Sequence, residues 1–217
     1  VYAVRLVAEG DASAAEARLW VLPRGTHVTI FDIDGTLTTK DEEIVKNVKA
    51  DLFFPILRRG YIPEAYPGAA QLTKAQAARG YVIVYLTGRP YWLQNTTRMW
   101  LEGPLGFARG VLHVTDSNEE AIPNEKGVGA FKLKFLKKLV EEGFLLDVAY
   151  GNARTDIFAY LKAGLAPESV WIIGQHTGVD GTHKVNGSWE ERVREVDALS
   201  PISQPWQGNA GSPKSAE

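Results

Sequence analysis

Five short apolar runs, each followed by or set between helical patterns, constrain this chain more than any other feature. The runs are residues 27–33, 81–86, 111–114, 145–150 and 170–173, and the helical stretches lie near 41–52, 68–79, 95–101, 130–142 and 155–163. A strand that is apolar on both faces must be covered on both, and helices between successive strands make neighbours parallel. The pattern predicts an α/β fold: a Rossmann-like parallel sheet with helices on both faces. Two further β-rich segments, 2–8 and 17–22, are separated by Gly10, Asp11 and small residues and predict a hairpin ahead of the sheet. The expected division is a short β-rich element at 1–25, a main domain at 26–199 and a disordered tail at 200–217, where Ser, Pro, Gly and Gln run without periodicity.

Composition narrows the function classes. The chain has 217 residues, about one and a half typical domains. Hydrophobic residues at 45% and charged residues at 23% suit a globular protein and are too apolar for a disordered one. A net charge of -2 gives no electrostatic footprint for nucleic acid. The absence of cysteine excludes disulfides, thiolate metal sites and cysteine nucleophiles together. The longest apolar run, 81–86, is far too short to span a bilayer, and no basic and apolar leader opens the chain. A soluble chain follows, with peripheral contact at a membrane left open. Because the sequence starts on Val1 rather than Met, the natural start is expected to have been removed.

The chemistry concentrates where the strands end. Asp32-Ile33-Asp34-Gly35-Thr36 follows the first strand of the sheet directly. In an open parallel sheet, ligands bind beyond the carboxyl ends of the strands. Carboxylates two residues apart on extended backbone aim to one side and repel unless a proton or a cation intervenes. With no cysteine and only four histidines, a hard cation held by oxygen is the natural counter-charge, and Mg²⁺ fits.

A second strand ends in Thr87-Gly88-Arg89-Pro90. Thr87 offers a hydroxyl at the same sheet edge. Gly88 lets backbone amides approach an anion, and Arg89 has the fork geometry for a phosphate. In the helix 131–140, the apolar side chains average to a direction within about 20° of Lys132, whereas Lys134, Lys137 and Lys138 project away. Lys132 is therefore the one lysine of that helix aimed at the sheet. A fourth strand ends in Gly151-Asn152, with Asp156 at the start of the next helix. Two acids, a hydroxyl, a lysine, then Asn and Asp, all at one sheet edge, form a pattern that chance placement of turn residues does not explain.

This order resembles the haloacid dehalogenase superfamily of aspartate-nucleophile phosphohydrolases over most of residues 28–174. Within it, D-I-D-G-T-L-T at 32–38, F-K-x-x-x-L at 131–136 and G-N-x-x-x-D-x-x-A-Y at 151–160 are similar to the catalytic domain of lipins, Mg²⁺-dependent phosphatidate phosphatases. The stretch 80–90, with Trp100 and Leu101 after it, is closer still to the lipin-like domain of retinal-degeneration-B type phosphatidylinositol transfer proteins. Some of those domains lack the nucleophile and serve as phosphatidate binders; this chain keeps every catalytic position. The resemblance implies that Asp32 is the nucleophile and Asp34 the general acid/base. It implies that Thr87 and Lys132 hold the phosphoryl group with Gly88 and Arg89, that Thr36 fixes the loop, and that Mg²⁺ is bound by Asp32, Asp34, Asn152 and Asp156. Asn152 stands where many superfamily members carry Asp; lipins carry Asn there too.

Substrate size follows from what the sequence lacks. The segments 38–81 and 90–111 are too short for a large cap, so the site is expected to be open to a bulky or membrane-embedded phosphate ester such as phosphatidate. Phe53-Phe54-Pro55-Ile56 with Arg58-Arg59, and Tyr91-Trp92, are candidates for a membrane-touching rim. Two alternatives stand beside a phosphatidate phosphatase: a phosphatidate-binding membrane module without turnover, and a phosphatase for soluble esters.

Overall fold

The computed structural model describes residues 1–39 and 63–206. The helix expected at 41–52 and the candidate rim residues Phe53 to Arg59 lie outside them.

Among the described residues, six strands form one parallel sheet. They are β3 (His27–Phe31), β4 (Val82–Pro90), β5 (Gly110–Thr115), β6 (Leu145–Gly151), β7 (Val170–Ile173) and β8 (His183–Val185), in the order β5-β4-β3-β6-β7-β8. The chain builds outward from β3 through β4 to β5, then returns to β3's other side for β6. This reversal makes the carboxyl end of β3 a topological switch point, the place where an open α/β sheet leaves a crevice.

Among the described residues, five helices cover the sheet: α1 (Ala69–Ala78), α2 (Gln94–Leu101), α3 (Ala130–Glu141), α4 (Arg154–Lys162) and α5 (Glu190–Asp197). Alternation along the strands divides the core in two. Phe31, Ile33, Ile83, Tyr85 and Tyr150 pack with Leu72, Trp100, Trp189 and Val196 on one face. Val28, Ile30, Val82, Val84 and Ala149 pack with Phe131, Leu136, Ile157 and Tyr160 on the other. Both faces are buried, as strands apolar on both sides require. Between β4 and β5 the chain holds a single turn of 3₁₀ helix and α2, with no further domain.

The N-terminal hairpin is present but shifted. β1 (Tyr2–Val7) pairs antiparallel with β2 (Ala14–Leu19), three residues earlier than the second strand was expected. The turn sets the register: Ala8 N–H donates to the Ser13 carbonyl at 2.8 Å, and Ser13 N–H donates to Asp11 Oδ1 at 2.9 Å. Residues 200–206, expected to begin a disordered tail, instead lie against the body. Ile202 N–H donates to the Arg79 carbonyl (2.9 Å), Trp206 N–H donates to the Gly80 carbonyl (2.8 Å), and the Trp206 ring stands 5.7 Å from that of Trp20. Backbone pairing and an aromatic contact order a stretch whose composition alone predicts none.

Candidate active site

The chain passes from β3 into a tight loop. Asp32 N–H donates to the Tyr150 carbonyl at 2.9 Å, which ties the end of β3 to the end of β6. The backbone then turns, with Leu37 N–H donating to the Ile33 carbonyl at 2.8 Å. Gly35 sits in the left-handed region at φ 75°, and a Cβ there would lie 2.0 Å from Asn152 Nδ2. Only glycine lets the loop lie against Asn152. The Thr36 hydroxyl is 2.9 Å from Asp32 Oδ2 and 3.2 Å from Asn152 Oδ1. Trp189 donates Nε1–H to the Thr36 carbonyl at 2.8 Å from beneath. Phe31 stacks on Tyr150 (4.5 Å, 13°) and Tyr150 meets Trp189 edge-on, so an aromatic floor carries the loop.

Lys132 enters from the first turn of α3, as the direction of that helix's apolar face predicts. Its side chain is 2% exposed, and its ammonium donates to Asp32 Oδ1 at 2.5 Å and to Asp156 Oδ1 at 2.6 Å. Lys134, Lys137 and Lys138 are exposed. The other Asp156 oxygen accepts from the Asn152 and Ala153 N–H groups at 3.1 and 3.0 Å. Asp156 thereby caps α4 and fixes the loop that carries Asn152. Asp32, Thr36, Lys132, Asn152 and Asp156 thus form one buried cluster.

Asp34, Thr87 and Arg89 form a second group beside it. Arg89 Nε donates to both Asp34 oxygens (3.0 and 2.9 Å) and Nη2 donates to Oδ1 at 2.6 Å. Nη1 donates to Thr97 Oγ1 on α2 at 3.0 Å. Thr87 Oγ1 donates to Asp34 Oδ2 at 3.1 Å and accepts from the Arg89 backbone N–H at 3.2 Å. Gly88, between them, lies against Val128: a Cβ there would come within 2.7 Å of a Val128 methyl. The two acids of the loop therefore have separate partners, Asp32 with Lys132 and Asp34 with Arg89. Arg89, expected at a phosphate, is held by a carboxylate here.

Two supports of this site carry no signal in the sequence. Trp189 reaches the loop from 153 positions away, and Thr97 is one of two adjacent threonines on a short helix. Only the fold brings either to the site.

The electrostatics are unbalanced. Asp34 pairs with Arg89, whereas Asp32, Lys132 and Asp156 are two carboxylates around one ammonium, all buried. Burial pushes Asp32 up to about 7; Lys132 opposes this, and Asp156 and Asp34 add to it. Burial also works against the Lys132 charge, yet the two carboxylates outweigh it and raise Lys132 above its ordinary range. Lys132 stays charged, and the cost of burial falls chiefly on the Asp32 carboxylate.

The donor set fits a hard cation. Asp32 Oδ2 and Asn152 Oδ1 converge on one hydroxyl that has a single proton to give, and both are hard oxygen ligands. Among the described residues, no three His, Cys, Asp or Glu side chains converge as a metal cage. An amide and a backbone carbonyl would have to complete such a site.

The comparisons follow this geometry. The fold is shared with a protein from Mesorhizobium loti named as a HAD-like phosphatase (TM-score 0.53, 14% identity, covering 87% of this chain and 94% of that one). A protein from Clostridium acetobutylicum named as a predicted phosphatase gives TM-score 0.51 at 17% identity, covering 82% of this chain and all of that one. The fold is the one these two phosphatase structures share.

Residues 29–174 match the model of the LNS2 domain of PITM 1-3, and the chain belongs to that family. It is 31% identical over 175 residues to human membrane-associated phosphatidylinositol transfer protein 1, and 29% over 178 residues to the human protein 3. It is 25% identical over 177 residues to the Drosophila melanogaster protein retinal degeneration B. These alignments cover 81–82% of this chain but only 12–16% of the relatives. Among the described residues, no helix is long and apolar enough to cross a membrane.

Proposed function

We propose that this chain is a phosphatase domain that hydrolyses phosphatidate to diacylglycerol and phosphate, with Asp32 as nucleophile. The observation that carries the reading is Lys132, buried and bridging Asp32 and Asp156 at the switch point of the sheet. The ammonium on Oδ1 and the Thr36 hydroxyl on Oδ2 together fix the Asp32 carboxylate at the sheet edge where a phosphorus would arrive. The names of the relatives, phosphatidylinositol transfer proteins, support a lipid as the ester.

In this reading Asp32 attacks phosphorus in line and forms an aspartyl phosphate. Asp34 protonates the departing alkoxide, then takes a proton from the water that cleaves the intermediate. Lys132 and Thr87 hold the equatorial oxygens where charge gathers. Asp156 holds Lys132 and the Asn152 loop in place. Mg²⁺ would be held by Asp32, the Asp34 backbone carbonyl and Asn152, with Asp156 behind them, and would supply charge neutralisation at the phosphoryl oxygens.

A second reading, a phosphatidate-binding membrane module without turnover, is favoured by one observation: Asp34 is clamped by Arg89 rather than aimed at a leaving group. Tyr91 and Trp92, 53% and 43% exposed just after β4, suit membrane contact under either reading. The test is phosphate release from phosphatidate vesicles and from soluble phosphate esters, with and without Mg²⁺. The phosphatase reading expects Mg²⁺-dependent release from the vesicles in excess of the soluble esters. Vesicle binding with no release from any ester would establish the binding module instead. Release from soluble esters alone would remove the lipid.

A further inference from the structure

The Asp34–Arg89 pair is arranged as a lock on the proposed acid. Both Asp34 oxygens accept from the Arg89 guanidinium, and Thr87 adds a third donor to one of them. A carboxylate held in this fork aims neither oxygen at a leaving group. The guanidinium side chain is 3% exposed and is anchored at its far side by Thr97. Losing a bidentate carboxylate is costly for a buried guanidinium, so Asp34 leaves the fork most readily when another anion takes its place.

The proposed substrate carries such an anion. A phosphoryl group presents paired oxygens to an arginine fork much as a carboxylate does. Resting on the phosphatase reading, we infer that Arg89 is a positioning residue that exchanges anions. In the resting site it holds Asp34 as the carboxylate; when a phosphomonoester dianion arrives beside Thr87, Arg89 transfers to a phosphoryl oxygen, and the released Asp34 takes up a proton from solvent and carries it to the leaving alkoxide. The exchange couples the acid to occupancy of the phosphoryl site. It also selects a substrate class. A phosphodiester has two non-bridging oxygens sharing one charge and competes poorly with a carboxylate already in the fork. A phosphomonoester brings three oxygens and up to two charges.

The exchange is read directly by NMR on the full chain. The Nε–H signal of Arg89 is assigned by its loss in Arg89→Lys, or by its displacement in Thr97→Val if the first variant does not fold. Inorganic phosphate is titrated in the presence of Mg²⁺, with dimethyl phosphate as the diester control. The Arg89 Nε–H signal and the Asp34 carboxyl carbon are expected to shift with the same midpoint as the Thr87 amide, and dimethyl phosphate to move none of the three. A saturating shift at Thr87 with Arg89 and Asp34 unmoved overturns the exchange and leaves the phosphatase reading standing. Equal responses to the diester overturn the selectivity for monoesters. No response to phosphate at any of the three overturns the exchange together with the reading it rests on.

Discussion

Lys132 Nζ stands 2.5 Å from Asp32 Oδ1, and both side chains are almost wholly removed from solvent. They come from elements 100 positions apart, the end of β3 and the first turn of α3, and they meet where the sheet reverses its strand order. Asp156 completes the bridge, so one ammonium holds two carboxylates.

Replacing Lys132 by Met should therefore act on stability and chemistry together. Two buried carboxylates are left without their cation, a loss of about 3–5 kcal/mol in urea denaturation. Adding Asp156→Asn should recover part of that stability without restoring turnover. Lys134→Ala, on the exposed side of the same helix, should leave both unchanged.

The raised Asp32 makes stability fall with pH. In the folded chain Asp32 holds its proton up to about 7, whereas the unfolded chain releases it near 3.8. The folded state thus binds more protons between these values. The Asp32 contribution is complete below the lower value and is lost as pH rises through the upper one, with a slope of up to about 1.4 kcal/mol per pH unit. Thermal denaturation of metal-free protein from pH 4 to 8 should show this decline. Asp32→Asn, which cannot titrate, should lose that part of the slope.

Gly35→Ala tests the fit between the loop and Asn152. The new methyl would meet the Asn152 amide at 2.0 Å in a backbone conformation that L residues avoid. With Asn152 displaced, the Mg²⁺ concentration needed for half-maximal turnover should rise at least tenfold. The far-ultraviolet circular dichroism should stay that of the parent. An unchanged Mg²⁺ requirement would separate Asn152 from the cation.

Much of this site is legible in the sequence, because each part follows an apolar strand or faces inward on an amphipathic helix. Lys132 is the clearest instance: helix geometry alone separates it from the three lysines beside it. What escapes is what depends on distant packing. β8 has three residues, and α5 is strongly polar, with Val196 its one buried side chain. Neither carries enough apolar pattern to stand out. The Arg89–Asp34 pairing escapes for another reason: an arginine fork accepts either a carboxylate or a phosphate, and residue types do not say which is present. Residues 200–206 are ordered by pairing with Arg79 and Gly80, which composition cannot register.

Trp189 measures how far the loop depends on such distant support. Its side chain is fully buried, and its N–H satisfies the Thr36 carbonyl. Trp189→Phe leaves that carbonyl without a partner and opens a void in the aromatic floor, for a loss of about 2–4 kcal/mol in denaturant unfolding. Turnover should fall as well, because Thr36 would no longer be fixed against Asp32 and Asn152. A stability change under about 0.5 kcal/mol would show that the loop holds its shape unaided.

The most direct measurement is of the covalent step itself. Phosphatidate labelled with radioactive phosphorus is mixed with the protein and Mg²⁺, quenched in acid within one turnover, and the labelled peptide identified by mass. The label should sit on Asp32. It should accumulate in Asp34→Asn, where removal of the proton relay slows breakdown by a factor of about 10²–10⁴, and it should be absent from Asp32→Asn, which should also release no phosphate. Turnover without any phosphate on Asp32, or turnover that survives Asp32→Asn, would contradict the assignment of Asp32 as nucleophile.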